Sequence, residues 1–322
     1  MKGIRQVVGA VLVAAATAGG AHGATAQPVR DLPPTFRGGV EAVTLSVTVR
    51  DQRGRPVKGL TRRDLIVFDS GTPRTVRGFI EDEAAISLAV LLDISGSMAV
   101  GGNMDRARRV VSETMARLQP GRDEAALLTF DSTLQEVRAF TKDLARVTAV
   151  NLAGTPWGLT SLYDALGETA RKVATRPNPH RAVLVITDGV DTGSRLSAAE
   201  VSGIASEIQV PVYLVVVAAP VDNPAERLAL LSVDGRAAST ATLADLARWT
   251  GGDMAIVSTP AEFTTALDGL VAELRHQYVL TFEPDARPGW HPIEVRSTRK
   301  RLAVHARGGY MSGTGAAMPT PE

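Results

Sequence analysis

An aspartate and two serines, Asp93, Ser95 and Ser97, follow directly on the apolar run Ile86-Ser-Leu-Ala-Val-Leu-Leu92 in this chain of 322 residues. The pattern Asp-x-Ser-x-Ser presents a carboxylate and two hydroxyls where a buried strand opens into a loop. Oxygen-only donors suit a hard divalent cation such as Mg²⁺. Loops beyond the carboxyl ends of parallel strands are also where open α/β sheets hold their ligands. Two later segments add donors of the same kind. Gly158-Leu-Thr160-Ser-Leu-Tyr-Asp-Ala-Leu166 puts a threonine at the start of a helix, and Thr187-Asp188-Gly189 closes an apolar strand with a carboxylate. The carboxyl ends of such strands converge, so Asp93, Ser95, Ser97, Thr160 and Asp188 can meet around one ion. Taken singly, Ser95 or Ser97 reads as a helix or turn cap.

The elements that must position these groups follow from periodicity. Residues 40–50 alternate apolar and polar, a turn follows at Asp51-Gln-Arg-Gly54, and 65–68 and 74–79 read as further strands. Residues 36–82 are therefore expected to form a small all-β unit. From Ile86 onward, strands alternate with helices: strands at 86–92, 125–130, 134–140, 182–187, 210–217 and 255–258, helices at 103–118, 162–174, 198–208, 243–250 and 261–276. This order implies an α/β fold, a doubly wound and mainly parallel sheet with helices on both faces. The chain returns to β character at 277–282, 290–296 and 302–307. These strands either form a separate C-terminal domain or pair with residues 36–82 into one β-sandwich-like unit, the α/β part being inserted between them. The small size of each segment favours the second arrangement.

The first residues read as a secretory signal peptide. Lys2 and Arg5 precede an apolar stretch from Val7 to Ala16, and Ala24-Thr25-Ala26 fits a cleavage site, with a cut after Gly23 as the alternative. The apolar stretch is shorter than the roughly 20 residues a spanning helix needs, which disfavours a retained anchor. The expected organisation is thus a signal peptide at 1–26, a linker at 27–35, the two β segments at 36–82 and 277–310 flanking an α/β domain at 84–275, and a disordered tail at 311–322. Export places the mature chain in the periplasm or outside the cell. No later stretch is apolar for long enough to span a membrane.

Composition narrows the chemistry. The chain has no cysteine, which excludes disulfides, thiol catalysis and cysteine metal sites. Without Lys2 and Arg5, 33 basic residues face 34 acidic ones, so nothing supports nucleic-acid binding. Beyond the signal peptide the only histidines are His180, His276, His291 and His305, and no His-Glu-x-x-His or Gly-x-Ser-x-Gly is present. The position of a dinucleotide-binding Gly-x-Gly-x-x-Gly holds Ser-Gly-Ser-Met instead. Nothing therefore supports an enzyme. Asp123 and Asp131 flank a strand and read as solvated loop residues, while Asp105 and Asp191 read as surface groups or as support for the ligands. Trp157 is either an exposed contact residue or part of the core.

Asp-x-Ser-x-Ser, then Gly-x-Thr-x-Leu-x-x-Ala-Leu, then Thr-Asp-Gly, in this order, resembles the metal-ion-dependent adhesion site of von Willebrand factor type A domains. The five ligand positions correspond to Asp93, Ser95, Ser97, Thr160 and Asp188. The flanks resemble exported bacterial proteins that carry such a domain, through the segment Val47 to Leu60 before it and Tyr278 to Pro284 after it. The resemblance implies a Mg²⁺ site (or Mn²⁺ or Ca²⁺) coordinated by Ser95, Ser97 and Thr160 through hydroxyls, with Asp93 and Asp188 acting directly or through water. Two carboxylates and three hydroxyls leave the shell of about six oxygens incomplete. A protein partner offering a carboxylate then completes it. The alternatives are an envelope scaffold with a vestigial site and a metal-assisted hydrolase. Nothing in the sequence sets an oligomeric state.

Overall fold

The computed structural model describes residues 42–151, 156–188, 191–207, 209–218, 243–285 and 287–312. The first flank supplies β1 (Val43–Arg50), β2 (Leu65–Asp69), β3 (Thr72–Arg74) and β4 (Val76–Glu83). The middle follows as β5 (Ile86–Asp93), α1 (Asn103–Arg117), β6 (Glu124–Phe130), β7 (Leu134–Thr141), the single turn α2 (Ala145–Thr148), α3 (Leu162–Ala174) and β8 (His180–Thr187). It continues with α4 (Ala198–Glu207), β9 (Val212–Val217), α5 (Leu243–Thr250), β10 (Met254–Val257) and α6 (Pro260–Arg275). The second flank gives β11 (His276–Phe282), β12 (Gly289–Ser297), β13 (Ala303–Ala306) and β14 (Gly309–Ser312).

The central sheet runs β10-β9-β8-β5-β6-β7, all parallel except the edge strand β7. β5 is buried at every position because helices cover both of its faces. Its side chains alternate between them. Leu88, Val90 and Leu92 pack with α1 and α6, whereas Ala89 and Leu91 pack with α3, α4 and α5. The chain leaves β5 through α1 towards β6 on one side and returns through α3 to β8 on the other. The strand order thus reverses at β5, and the crevice beyond the carboxyl ends of β5 and β8 is the switch point where such sheets bind ligands.

The two flanks meet in space. β1 pairs antiparallel with β11 from Val43↔Phe282 to Val47↔Tyr278 and with β13 on its other edge, while β2 pairs with β12. Two four-stranded antiparallel sheets result, in the orders β13-β1-β11-β4 and β14-β12-β2-β3. They share a core of Leu45, Val47, Val67, Tyr278, Phe282 and Val295. The chain stays in strand conformation to Ser312, two residues beyond the point where the sequence suggested a tail. Helix α6 stops at Arg275, so His276 begins β11 rather than ending the helix.

Asp123 departs from its expected place in a solvated loop. It is fully buried at the amino end of the sheet, where the backbone N–H groups of Ile86 and Gln119 donate to it at 3.0 and 2.7 Å. The two Nη atoms of Arg275 donate to it at 2.8 and 2.5 Å. Burial opposes its ionisation, yet the Arg275 guanidinium and the backbone donors hold its carboxyl below the usual range. This pair joins the starts of β5 and β6 to the end of α6. Removing one partner of a buried ion pair leaves the other uncompensated, at a cost of about 3–5 kcal/mol. Urea unfolding of Asp123→Ala at neutral pH should show a loss of that order; one below about 1 kcal/mol would show that the pair contributes no more than an exposed one.

Candidate metal centre

Asp93 is the last residue of β5 and has no solvent exposure. Its Oδ1 accepts the Ser95 N–H at 2.8 Å, which turns the chain sharply and brings the Ser95 and Ser97 hydroxyls to 3.2 Å from each other. A short 3₁₀ turn, Gly96–Ala99, follows with Ser95 at its N-cap position. The spacing of two residues between the three donors is thus built into one tight turn. Ser95 is buried and Ser97 reaches the surface.

The neighbouring strand supplies the next groups. β8 runs parallel to β5 with Ile186 opposite Leu92, so Thr187 arrives beside Asp93 and donates its hydroxyl to Oδ2 at 2.6 Å. Asp188, also buried, comes one residue later, and its charge acts on Asp93. Thr160 reaches the same sheet edge on a third loop. There Trp157 N–H donates to the Ile94 carbonyl at 3.0 Å, Gly96 N–H to the Gly158 carbonyl at 3.2 Å, and Ser161 N–H to the Asp131 carbonyl at 2.8 Å.

The loop after β8 holds Thr160 and the start of α3 in a reciprocal clasp. Thr160 N–H donates to the Thr192 hydroxyl, and its carbonyl accepts the N–H groups of Thr192 and Gly193, all at 2.9 Å. Asp191 accepts the Leu162 N–H at 2.8 Å and the Ser194 hydroxyl at 2.6 Å, while Ser194 Oγ accepts the Tyr163 N–H at 2.9 Å. In return, Asp164 accepts the N–H groups of Arg195 and Leu196 at 3.0 and 2.9 Å. The first turn of a helix leaves N–H groups unsatisfied, and here a neighbouring loop satisfies them.

Asp93, Ser95 and Ser97 are therefore in direct contact, Asp188 is electrostatically coupled to them, and Thr160 lies buried on the adjoining loop. The remaining acids have other work. Asp191 caps α3, Asp131 accepts the Thr133 N–H at 2.8 Å, and Asp105 is exposed and paired with Arg108. Trp157 is exposed. Thr187, Thr192, Ser194 and Asp164 were not among the candidates. Only Thr187 carried a sequence signal, as the last residue of an apolar strand next to an acid.

Burial pushes the Asp93 carboxyl up to about 6, and the Asp188 charge adds to this, against the hydrogen bonds from Ser95 and Thr187. Its contacts among the described residues are amide and hydroxyl groups, with no basic side chain. A hard cation fits this donor set, since it would supply the positive charge that a buried carboxylate requires. Among the described residues no group of three or more His, Cys, Asp or Glu is placed to hold a metal. A cation held here would rely on hydroxyls as well as carboxylates.

Fold and site together define an open α/β domain with a carboxylate–hydroxyl centre at its switch point. Residues 88–190 match the sequence model of the von Willebrand factor type A domain. No curated protein matches the chain in sequence. Among solved structures it is similar to the conserved hypothetical protein BatB from Bacteroides thetaiotaomicron, at 19% identity over 59% of this chain and 98% of that one, with a TM-score of 0.46. It is similar to a von Willebrand factor type A protein from Catenulispora acidiphila at 12% identity over 86% and 76%, with a TM-score of 0.47. The vWF domain of the type V pili tip protein Mfa5 from Porphyromonas gingivalis aligns at 20% identity over 37% and 44%, with a TM-score of 0.31.

The raised Asp93 carboxyl predicts a pH signature. Between its ordinary value of 3.8 and about 6, the folded metal-free protein holds a proton that the unfolded chain has released. Stability from this group therefore falls as pH rises through that window, by about 3 kcal/mol in total. Urea unfolding in chelator at both ends of the window should show wild type losing more stability than Asp93→Asn; parallel profiles would contradict the assignment.

Proposed function

We propose that Asp93, Ser95, Ser97, Thr160 and Asp188 hold a divalent cation, Mg²⁺ in the first instance and Mn²⁺ or Ca²⁺ as alternatives. On this reading the protein is an exported binding protein that grips an acidic side chain of a protein partner. The observation that carries the reading is the buried, hydroxyl-bonded Asp93 at the switch point, in direct contact with Ser95 and next to Asp188. A bound ion would supply an open coordination position for an oxygen from outside. Asp93 and Asp188 supply the negative charge that retains it. The three hydroxyls add no further charge, so the ion keeps its attraction for an incoming carboxylate.

Binding is favoured over catalysis by the placement of the bases. His180 lies at the amino end of β8, His276 starts β11, His291 lies in β12 and His305 in β13. None stands on the loops that form the centre. Thr187 and Ser95 donate to Asp93 and fix its orientation. Export rests on the basic and then apolar pattern of the first residues. No helix among the described residues is long and apolar enough to cross a membrane.

Calorimetric and thermal-shift titration of the purified protein with Mg²⁺ tests this reading. At a hundredfold excess over the dissociation constant, binding adds about 2.7 kcal/mol to stability. Asp93→Asn should abolish the response, and Thr160→Ala should weaken it while the protein stays folded by circular dichroism. A wild type that gives neither heat nor shift with Mg²⁺, Mn²⁺ or Ca²⁺ would leave a scaffold with a vestigial centre.

A further inference from the structure

Exposed large apolar side chains are few among the described residues, and three of the five stand on the loops of the metal centre. Trp157 is 82% exposed, Val100 68% and Leu159 60%, whereas Ile66 and Ile80 lie on the flanking sheets. Val100 closes the 3₁₀ turn that begins after Ser95, its N–H donating to the Ser97 carbonyl at 3.0 Å. Trp157 and Leu159 precede Thr160 and sit on either side of Gly158.

The backbone that carries them is held firmly. Trp157 is anchored to Ile94, Gly158 to Gly96, and Thr160 to Thr192 and Gly193. Gly158 has φ +93°, a conformation that strains any side chain, and this kink faces its two neighbours outward while Thr160 turns in. A backbone held in this way leaves less freedom to be lost when Trp157 makes contact.

We propose that Trp157, Leu159 and Val100 form an apolar collar around the metal centre that receives apolar side chains flanking the partner's carboxylate. The element recognised is then an Asp or Glu set between apolar residues on a protein. This rests on the metal-centre reading above and adds the source of specificity to it. A single carboxylate on an ion is a contact any acidic surface can make, whereas buried aromatic and aliphatic anchors discriminate.

Charge argues against a lipid surface as the occupant. The described residues of the loops concerned, 94–102, 131–133, 156–161, 188 and 191–197, contain one base, Arg195, and three acids, Asp131, Asp188 and Asp191. Anionic membranes draw clusters of basic residues, and this rim offers a single arginine outnumbered by acids.

A display library of short peptides with a fixed central Asp and randomised flanks, selected on the wild-type protein in Mg²⁺, tests the collar. Apolar flanks should be enriched, and the selected peptides should bind the Trp157→Ala, Leu159→Ala double variant on the order of tenfold more weakly. Mg²⁺ affinity, measured calorimetrically on the same variant, should be unchanged. Random or polar flanks, or equal binding to wild type and variant, would overturn the collar. So would collar-dependent sedimentation with anionic vesicles, or collar-dependent self-association, in place of peptide binding. Failure of the metal reading looks different: wild type takes up no Mg²⁺, and selected peptides bind equally well with Asn in place of Asp.

Discussion

A carboxylate buried at the end of the central strand governs this structure. Asp93 cannot be placed there without compensation, because an ionised group out of water is costly unless it is paired. The fold brings it an amide from Ser95 and a hydroxyl from Thr187, but also the like charge of Asp188. The arrangement is therefore poor for stability and apt for binding a cation. Everything nearby serves to keep it so. The adjacent parallel strand delivers Thr187, the 3₁₀ turn orients the serines, and the clasp between α3 and the loop after β8 fixes Thr160.

Stability is supplied at the other end of the sheet. There the acid is Asp123, and its partner is the guanidinium of Arg275, where Asp93 has no basic neighbour among the described residues. The same side chain type thus has opposite roles at the two ends of the sheet. Where the guanidinium is present, the group is structural. Where amide and hydroxyl donors and a second acid are the neighbours, burial pushes the carboxyl up instead.

The fold class was visible in the sequence because a strand covered on both faces is continuously apolar through its middle, as Leu88–Leu92 is. The donors were visible because a chain can only present three side chains at one strand end through tight local spacing, as in Asp93, Ser95 and Ser97. What depended on distant partners was not. Asp123 looked like a loop residue because the Arg275 that buries it is 152 positions away. The pairing of the flanks was favoured from their small size, but its register was not legible, since Val43 and Phe282 meet only in the folded sheet. The cap that Asp191 and Ser194 give to α3 is likewise invisible, because helix caps ordinarily come from the residue just before the helix. Trp157 could not be assigned to core or surface, as its exposure is decided by the kink at Gly158.

The two places where the chain passes between the α/β part and the flanking sheets lie close together. β4 ends at Glu83 and β5 begins at Ile86, while α6 ends at Arg275 and β11 begins at His276. Both crossings are at the amino end of the sheet and are bound to each other through Asp123. The metal centre is at the carboxyl end, a full strand length away. On the proposed reading, a pull between a captured partner and the flanking sheets would run along β5. It would load the hydrogen bonds to β6 and β8 together, in shear, rather than one after another as in peeling.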